Sequence, residues 1–274
     1  MWGQEKYLER PFVCTGPIAY TGRAALDRDI QNLKAALREA GASARGFLPV
    51  VAPASALALT RNLYYRSEEE FVFATADALR TEYQSILEAG LDLQIDDAHL
   101  SFTCDCMVPP ASMSDFRTWA QLRIDALNHA LKGLPTDRIR YHLCWGSWNG
   151  PHASDVPLRE LVDLLLQLNV GGYAIEAANA RHEHEWKLWQ DVKLPPGRKL
   201  MPGVVSHQTN LVEHPELVAE RLLRFASVVG ADNLIAGTDC GFAQGPFVRR
   251  VHEEIMWAKL ASLVEGSRIA SAQL

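Results

Sequence analysis

The sequence predicts an α/β protein of parallel strands joined by crossover helices, either a barrel or an open doubly wound sheet. Three observations carry this expectation. Strand-like and helix-like segments alternate from one end to the other, and no Pro/Ser-rich linker or internal repeat interrupts them. The 274 residues, 48% hydrophobic and 22% charged, suffice for one large core. A single α/β barrel commonly has about this length.

In order, Pro11 to Tyr20 is β-rich before its Gly-Pro turn and predicts a first strand. Asp27 to Ala40 sets Ile30, Leu33, Ala36 and Leu37 at helical spacing and closes at Gly41. Gly46 to Pro53 reads as a buried strand. Ser67 with Glu70 forms a capping box for a helix through Leu87 that stops at Gly90. Leu91 to Asp97 is a strand ending on two carboxylates, Asp96 and Asp97. The stretch Ser101 to Ser114, with Cys104, Cys106, Pro109 and Pro110, predicts a long loop, a common place for functional groups or lids. Asp115 to Leu131 is a helix and Ile139 to Cys144 a strand. Asp155 and Pro157 open an amphipathic helix, Leu158 to Leu168. Tyr173 to Glu176 is a strand, Arg181 to Gln190 a polar helix, Lys199 to Val205 a strand, and Pro215 to Val229 a helix. Leu234 to Cys240 is the last strand and Val248 to Val264 the last helix. This makes seven strands where a closed barrel needs eight. Either one strand escapes the pattern or the chain begins after the barrel's first one.

The net charge of −6 leaves no basic stripe to neutralise phosphates, which argues against a nucleic-acid partner. No apolar run approaches the roughly 18 residues of a membrane span. Met1 to Arg10 lacks an apolar signal core, so a cytoplasmic chain is expected. The five cysteines, Cys14, Cys104, Cys106, Cys144 and Cys240, are odd in number and scattered. In a reducing compartment that favours free thiols or metal ligands over a disulfide framework.

The stretch that organises the functional reading is Arg138 to His152, where an apolar run delivers His142 and Cys144. Residues i and i+2 of a strand point to one side, so these two could share a metal ion at the strand's C-terminal end. Two later strand ends supply Glu176 and Cys240. Zinc takes imidazole, thiolate and carboxylate in near-tetrahedral arrangement, and a barrel gathers its strand ends at one mouth. Alone, His-x-Cys is a weak signal, because both residue types also fill cores. Cys104-x-Cys106 could bind a metal or be redox-active, but it has no third ligand nearby. Arg181-His-Glu-His-Glu185 looks metal-like, but five polar residues opening a helix read more simply as a solvated face, and Trp145 and Trp148 could wall a pocket or pack the rim.

His142-Leu-Cys144, Ile175-Glu176, Pro202-Gly-Val-Val205 and Asp239-Cys-Gly241 occur in this order, together with Gln94-Ile-Asp-Asp97 and Thr15-Gly-Pro17. With these motifs the chain resembles the C-terminal catalytic domain of cobalamin-independent methionine synthase and its shorter single-domain relatives, over nearly its whole length. The resemblance implies a (β/α)8 TIM-type barrel, residues 1–274 as one catalytic domain without the first strand. It implies zinc at the C-terminal mouth on His142, Cys144, Glu176 and Cys240. The implied activity is methyl transfer from a methyl-tetrahydrofolate-type donor to the thiol of homocysteine, in methionine biosynthesis. The implied partners are a small-molecule thiol and a methyl or alkyl donor, with no nucleic acid and no membrane, and with room for a homo-oligomer.

The chemistry has a physical basis. A free thiol is only a few per cent ionised near pH 7, whereas a zinc-bound one is deprotonated outright. Full ionisation is worth roughly 30-fold, or about 2 kcal/mol. Most of the acceleration must therefore come from positioning and from protonating the leaving group. Asp96 matches the family's acidic residue for the amino group of the amino-acid thiol, with an N-cap or loop carboxylate as the plainer alternative. His207 adjoins Gln208, the position of the family's acid histidine, and a surface histidine is its plainer alternative. Asp97-Ala98 replaces the family's Glu-Pro, and Gly22-Arg23 stands where the methionine synthases stack a Trp on folate. Two rivals follow. One is a zinc enzyme that joins an epoxide to a thiol such as coenzyme M, and the other is a non-catalytic barrel that binds zinc or a ligand.

Overall fold

The computed structural model describes residues 12–41, 43, 45–147, 152–243 and 250–274. They form two compact units, Met1–Tyr141 with Gln167–Val170, and His142–Leu166 with Gly171–Leu274.

The first unit runs β1 (Phe12–Cys14), α1 (Arg23–Glu39), β2 (Phe47–Val51), α2 (Pro53–Ala56), β3 (Thr60–Asn62), α3 (Glu68–Glu88), β4 (Asp92–Asp97), α4 (His99–Met107) and α5 (Met113–Leu131). Strand β5 (Ile139–Leu143) begins in this unit and ends in the second. β2 and β4 pair in parallel, with Phe47 opposite Asp92 and Val51 opposite Asp96. The two-residue period sorts β4, since Leu93, Ile95 and Asp97 are buried while Asp92, Gln94 and Asp96 are half-buried. Ser67 caps α3, its hydroxyl accepting from Glu70 N at 3.1 Å. Phe71, Val72, Thr75, Ala76, Leu79 and Tyr83 then form its buried stripe.

Two expectations for this unit need correction. The first strand is only three residues long and pairs in parallel with β3, a polar strand the sequence pattern hides, in a sheet separate from the main one. The expected loop from Ser101 is helical as far as Met107, because Leu100 and Cys104 share one buried helix face. Pro109 and Pro110 then prevent continuation. On a helix, i and i+2 diverge, so Cys104 is buried while Cys106 is exposed and the two do not face one ion.

The second unit contains the end of β5, then α6 (Val162–Leu165), β6 (Gly172–Ile175), β7 (Lys199–Val205), α7 (Pro215–Val229), β8 (Gly237–Thr238) and α8 (Glu253–Ser271). β6 pairs with β7 and β7 with β8, both in parallel. Val204 and Val205 of β7 pack with Val218, Ala219 and Leu222 of α7 and Ala270 of α8 in one buried cluster. Pro at the start of α7 and Gly230 just past its end set its limits.

Elsewhere in this unit the expected elements are shorter or shifted. Leu158 to Leu168 yields only a single 3-10 turn and α6, although Leu158, Leu161, Val162, Leu164, Leu165 and Leu168 are buried while Arg159, Asp163 and Gln167 are exposed. Arg181 to Gln190 is a 3-10 stretch, Glu183–Gln190. The last strand is reduced to Gly237–Thr238 with an isolated bridge from Leu234 to Leu200. The last helix starts at Glu253, and Val248 lies outside the described residues. Among the described residues no helix is long and apolar enough to cross a membrane.

Candidate metal centre

β5 carries His142, and Cys144 follows it directly on the same side. Cys240 comes two residues after β8. Donor atoms of His142, Cys144 and Cys240 lie within 4.8 Å of one another, and all three belong to the second unit. The two sulfurs are 3.8 Å apart, with the Cys144 thiol donating to Cys240. Two thiolates bonded at about 2.3 Å to a tetrahedral zinc would also stand about 3.8 Å apart. Gly146 takes φ 93, a left-handed turn that brings its N–H to Cys144 Sγ at 3.3 Å. The Ser147 hydroxyl donates to Cys240 Sγ at 3.3 Å.

A buried carboxyl braces the trio. Asp239 Oδ1 accepts from Ala177 N at 2.7 Å and Ala178 N at 2.8 Å, and Oδ2 accepts from Asn179 Nδ2 at 3.3 Å. Its own carbonyl lies 3.0 Å from His142 Nε2. With Nε2–H donating there, the imidazole lone pair is fixed on Nδ1, the arrangement by which outer partners orient a metal-binding histidine. Gly203 permits this packing, since a Cβ there would fall 2.2 Å from Asp239 Oδ1.

Glu176, the fourth expected ligand, is 2% exposed and lies beside this group without joining the trio. Its Oε1 accepts from Trp145 N and its Oε2 from Asn179 Nδ2, both at 2.9 Å. Burial raises its pKa above the ordinary carboxylate value. Burial and the nearby Glu176 push Asp239 up to about 8, against three N–H donors. The Cys144 thiol bonded to it holds Cys240 down to about 6, and the same contact with burial drives Cys144 upward. Buried acids crowded in this way favour a divalent cation among them, and two thiols with an imidazole are the donor set zinc prefers.

Next to the trio, His182 corrects the solvated-face reading of Arg181–Glu185. It is 3% exposed, with Nδ1 2.9 Å from Glu185 Oε2 and Nε2 3.3 Å from Asp155 Oδ2. Its ring lies 4.2 Å from that of Trp145, whose indole N–H donates to Val156 O at 2.8 Å. Burial lowers the His182 pKa, but the bonds to Asp155 and Glu185 outweigh it and lift it to about 9. Trp145 is thus packed inside, and Trp148 lies outside the described residues.

His207, read as the acid or else a surface histidine, is 1% exposed, and neither ring nitrogen has a hydrogen-bond partner. Burial, then the charges that His142, Arg250, His152 and Lys259 carry when protonated, lower its pKa to about 4. Asp96 belongs to the first unit, half-buried on β4, and accepts from Gln94 Nε2 at 2.7 Å. Its neighbour Asp97 is buried under bonds from Ser55, Leu100 N and Tyr141, and burial carries its pKa to about 6. Sequence reasoning missed Asp239, Asn179 and Ser147. Of these only Asp239, standing next to a proposed ligand, had a local signal.

A parallel α/β fold with a His/Cys/Cys trio of this geometry belongs to the class of domains that can hold a metal at strand ends. Residues 55–262 match the family described as cobalamin-independent synthase, catalytic domain, and the chain belongs to that family. It is 27% identical over 241 residues to 2-hydroxypropyl-CoM lyase of Xanthobacter autotrophicus, covering 78% of this chain and 58% of that one. It is 25% identical over 228 residues to methionine synthase of Thermococcus kodakarensis, covering 83% and 58%. The chain therefore spans less than two thirds of the length of these curated relatives. Among solved structures it is similar to a B12-independent methionine synthase from a Shewanella species in complex with selenomethionine, with a TM-score of 0.73 at 20% identity over 95% of this chain and 70% of that one. That likeness shows the fold, α/β with the parallel sheet of a TIM-type barrel.

Proposed function

We propose that the chain is the catalytic domain of a zinc-dependent S-methyltransferase that moves a methyl group from a methyl-tetrahydrofolate-type donor to the thiol of homocysteine. The observation that carries this reading is the Cys144–Cys240 sulfur separation of 3.8 Å beside His142, which fits tetrahedral zinc. His142, Cys144 and Cys240 would hold the metal, with Glu176 as fourth ligand once its carboxylate swings from Trp145 N and Asn179. Bound there, zinc would keep a substrate thiol ionised at neutral pH.

The chain's own groups do the rest. Asp239 holds the Cys240 segment against Ala177 and Ala178, and its carbonyl fixes the tautomer of His142. The resemblance assigns the ammonium group of the amino-acid thiol to Asp96, a residue of the first unit. His207 hands a proton to the departing donor nitrogen. Its imidazole is neutral near pH 7 and must first take up a proton, which an arriving anion makes easier.

A second reading is joining of an epoxide to a thiol of the coenzyme M type. It is supported by the 27% identity to 2-hydroxypropyl-CoM lyase and by Gly22-Arg23 in place of a folate-stacking Trp. It uses the same centre and differs only in donor and thiol.

The test begins with metal analysis of the purified full chain. About one equivalent of zinc is expected, with less than about half retained in C240A. Equal zinc content in the two would overturn both readings. Methyl-folate and epoxide donors, each offered with a panel of thiols, then separate them, and absence of turnover with every donor favours a non-catalytic zinc-binding barrel.

A further inference from the structure

The second unit also contains a cluster of the opposite sign. His207, two residues past β7, is 1% exposed with both ring nitrogens unpartnered. Arg250, three residues ahead of α8, has a buried Nη1 that is likewise unpartnered. Five buried side-chain polar atoms lack a partner among the described residues, and three of them belong to these two side chains. Native interiors rarely leave such groups unmatched, and an ordered water, an ion or a ligand commonly supplies the partner.

The charges bearing on His207 are His142, Arg250, His152 and Lys259, all of one sign when protonated. The carboxylates that could neutralise them are committed elsewhere. Glu213 takes Lys259 Nζ at 2.8 Å through one oxygen and Ser206 N at 2.9 Å through the other. Asp155 is shared between His152 at 3.1 Å and His182 at 3.3 Å. The Glu213 bridge also ties α8 to the segment that starts at Ser206, so the His207 backbone is held in place before any ligand arrives. The result is one buried guanidinium nitrogen and a buried imidazole, neither with a hydrogen-bond partner among the described residues. A carboxylate or sulfonate supplies the matching lone pairs.

We infer that His207 and Arg250 form an anion subsite that anchors the acidic group, carboxylate or sulfonate, of the thiol substrate. The inference rests on the reading of His142, Cys144 and Cys240 as the metal centre where the sulfur of that substrate is held. The subsite thereby selects acidic thiols over neutral ones, and it draws an anion to the ring proposed to carry the proton.

One arm of the test needs neither metal nor thiol. Acetate or methanesulfonate is titrated into the metal-free full chain with histidine labelled for imidazole NMR. A saturable shift of the His207 ring signals is expected, lost in R250Q; no saturable shift with either anion overturns the subsite. The second arm uses the cobalt-loaded chain, whose sulfur-to-metal absorption band reports thiol coordination. Homocysteine and 2-mercaptoethanesulfonate should half-saturate at least about tenfold below 2-mercaptoethanol, as expected of charge-assisted hydrogen bonds. R250Q should erase that ratio and R250K restore part of it, whereas equal half-saturation in the unmodified chain overturns the inference. The acidic thiol bound more tightly identifies which acid the subsite serves. A missing band with every thiol would overturn the metal-centre reading instead, while the NMR arm still decides the subsite.

Discussion

His182 and His207 lie in the same compact unit, 3% and 1% exposed, and their imidazoles are held in opposite charge states. Burial lowers the pKa of both. At His182 two carboxylates, Asp155 and Glu185, more than reverse that effect and lift it to about 9. At His207 no acid among the described residues is in hydrogen-bonding range, and neighbouring positive charge adds to the desolvation, leaving it at about 4. The first ring is a cation built into the scaffold. The second is a neutral group with donor capacity to spare, which is why the ligand argument attaches to it and not to His182.

The comparison breaks most sharply on removing the charged ring. H182A leaves Glu185 without its buried counter-charge and Asp155 with His152 alone, and should cost about 3 kcal/mol in urea unfolding. A blue-to-red change in tryptophan emission should accompany it, since Trp145 stacks on that ring. A loss below about 1 kcal/mol would mean the ion pairs carry little.

The next effect is in pH. The folded pKa of His182, about 9, exceeds its ordinary value of 6.5, so its stabilisation is complete below 6.5 and is lost as pH rises through 9. That amounts to up to about 3 kcal/mol. The partner Asp155 sits at about 2, below its ordinary 3.8, so its share is present above 3.8 and disappears only as pH falls through 2. Urea midpoints should decline between neutral and alkaline pH in the native chain and stay flatter in H182Q; parallel profiles would contradict the assignment.

The smallest stability effect is expected at His207. Its folded pKa is depressed, so the native state resists protonation and stability falls as pH drops from 6.5 through 4, the reverse slope. Replacing an unpartnered buried polar ring by an apolar one of similar size, H207L, should alter neutral-pH stability by no more than about 1 kcal/mol. The same change should reduce turnover by roughly a hundredfold or more under the proton-transfer role. Full turnover in H207L would remove that role.

Some of this was legible in the chain and some was not, for identifiable reasons. His142 and Cys144 could be paired from sequence because strand geometry forces i and i+2 to one side. β7 and α7 were found with their limits, since Pro215 and Gly230 mark the helix and the apolar run Leu200 to Val205 marks the strand. The helix α4 was hidden because Ser101, Thr103 and Asp105 are poor helix formers and the two prolines suggest a loop, while the buried Leu100 and Cys104 face decides otherwise. His182 was misjudged because its partner Asp155 lies far away along the chain, and local polarity resembles solvent exposure. Arg250 gave no signal at all, since its significance is one buried nitrogen without a partner among the described residues, which only the folded arrangement reveals.

Position 203 is closed to every side chain: even a methyl group would arrive 2.2 Å from Asp239 Oδ1 and 2.5 Å from its backbone. Anyone diversifying this scaffold for new donors should therefore leave that glycine out of the library and vary Ser147 instead, whose hydroxyl lies 3.8 Å from Cys144 Sγ and 3.3 Å from Cys240 Sγ.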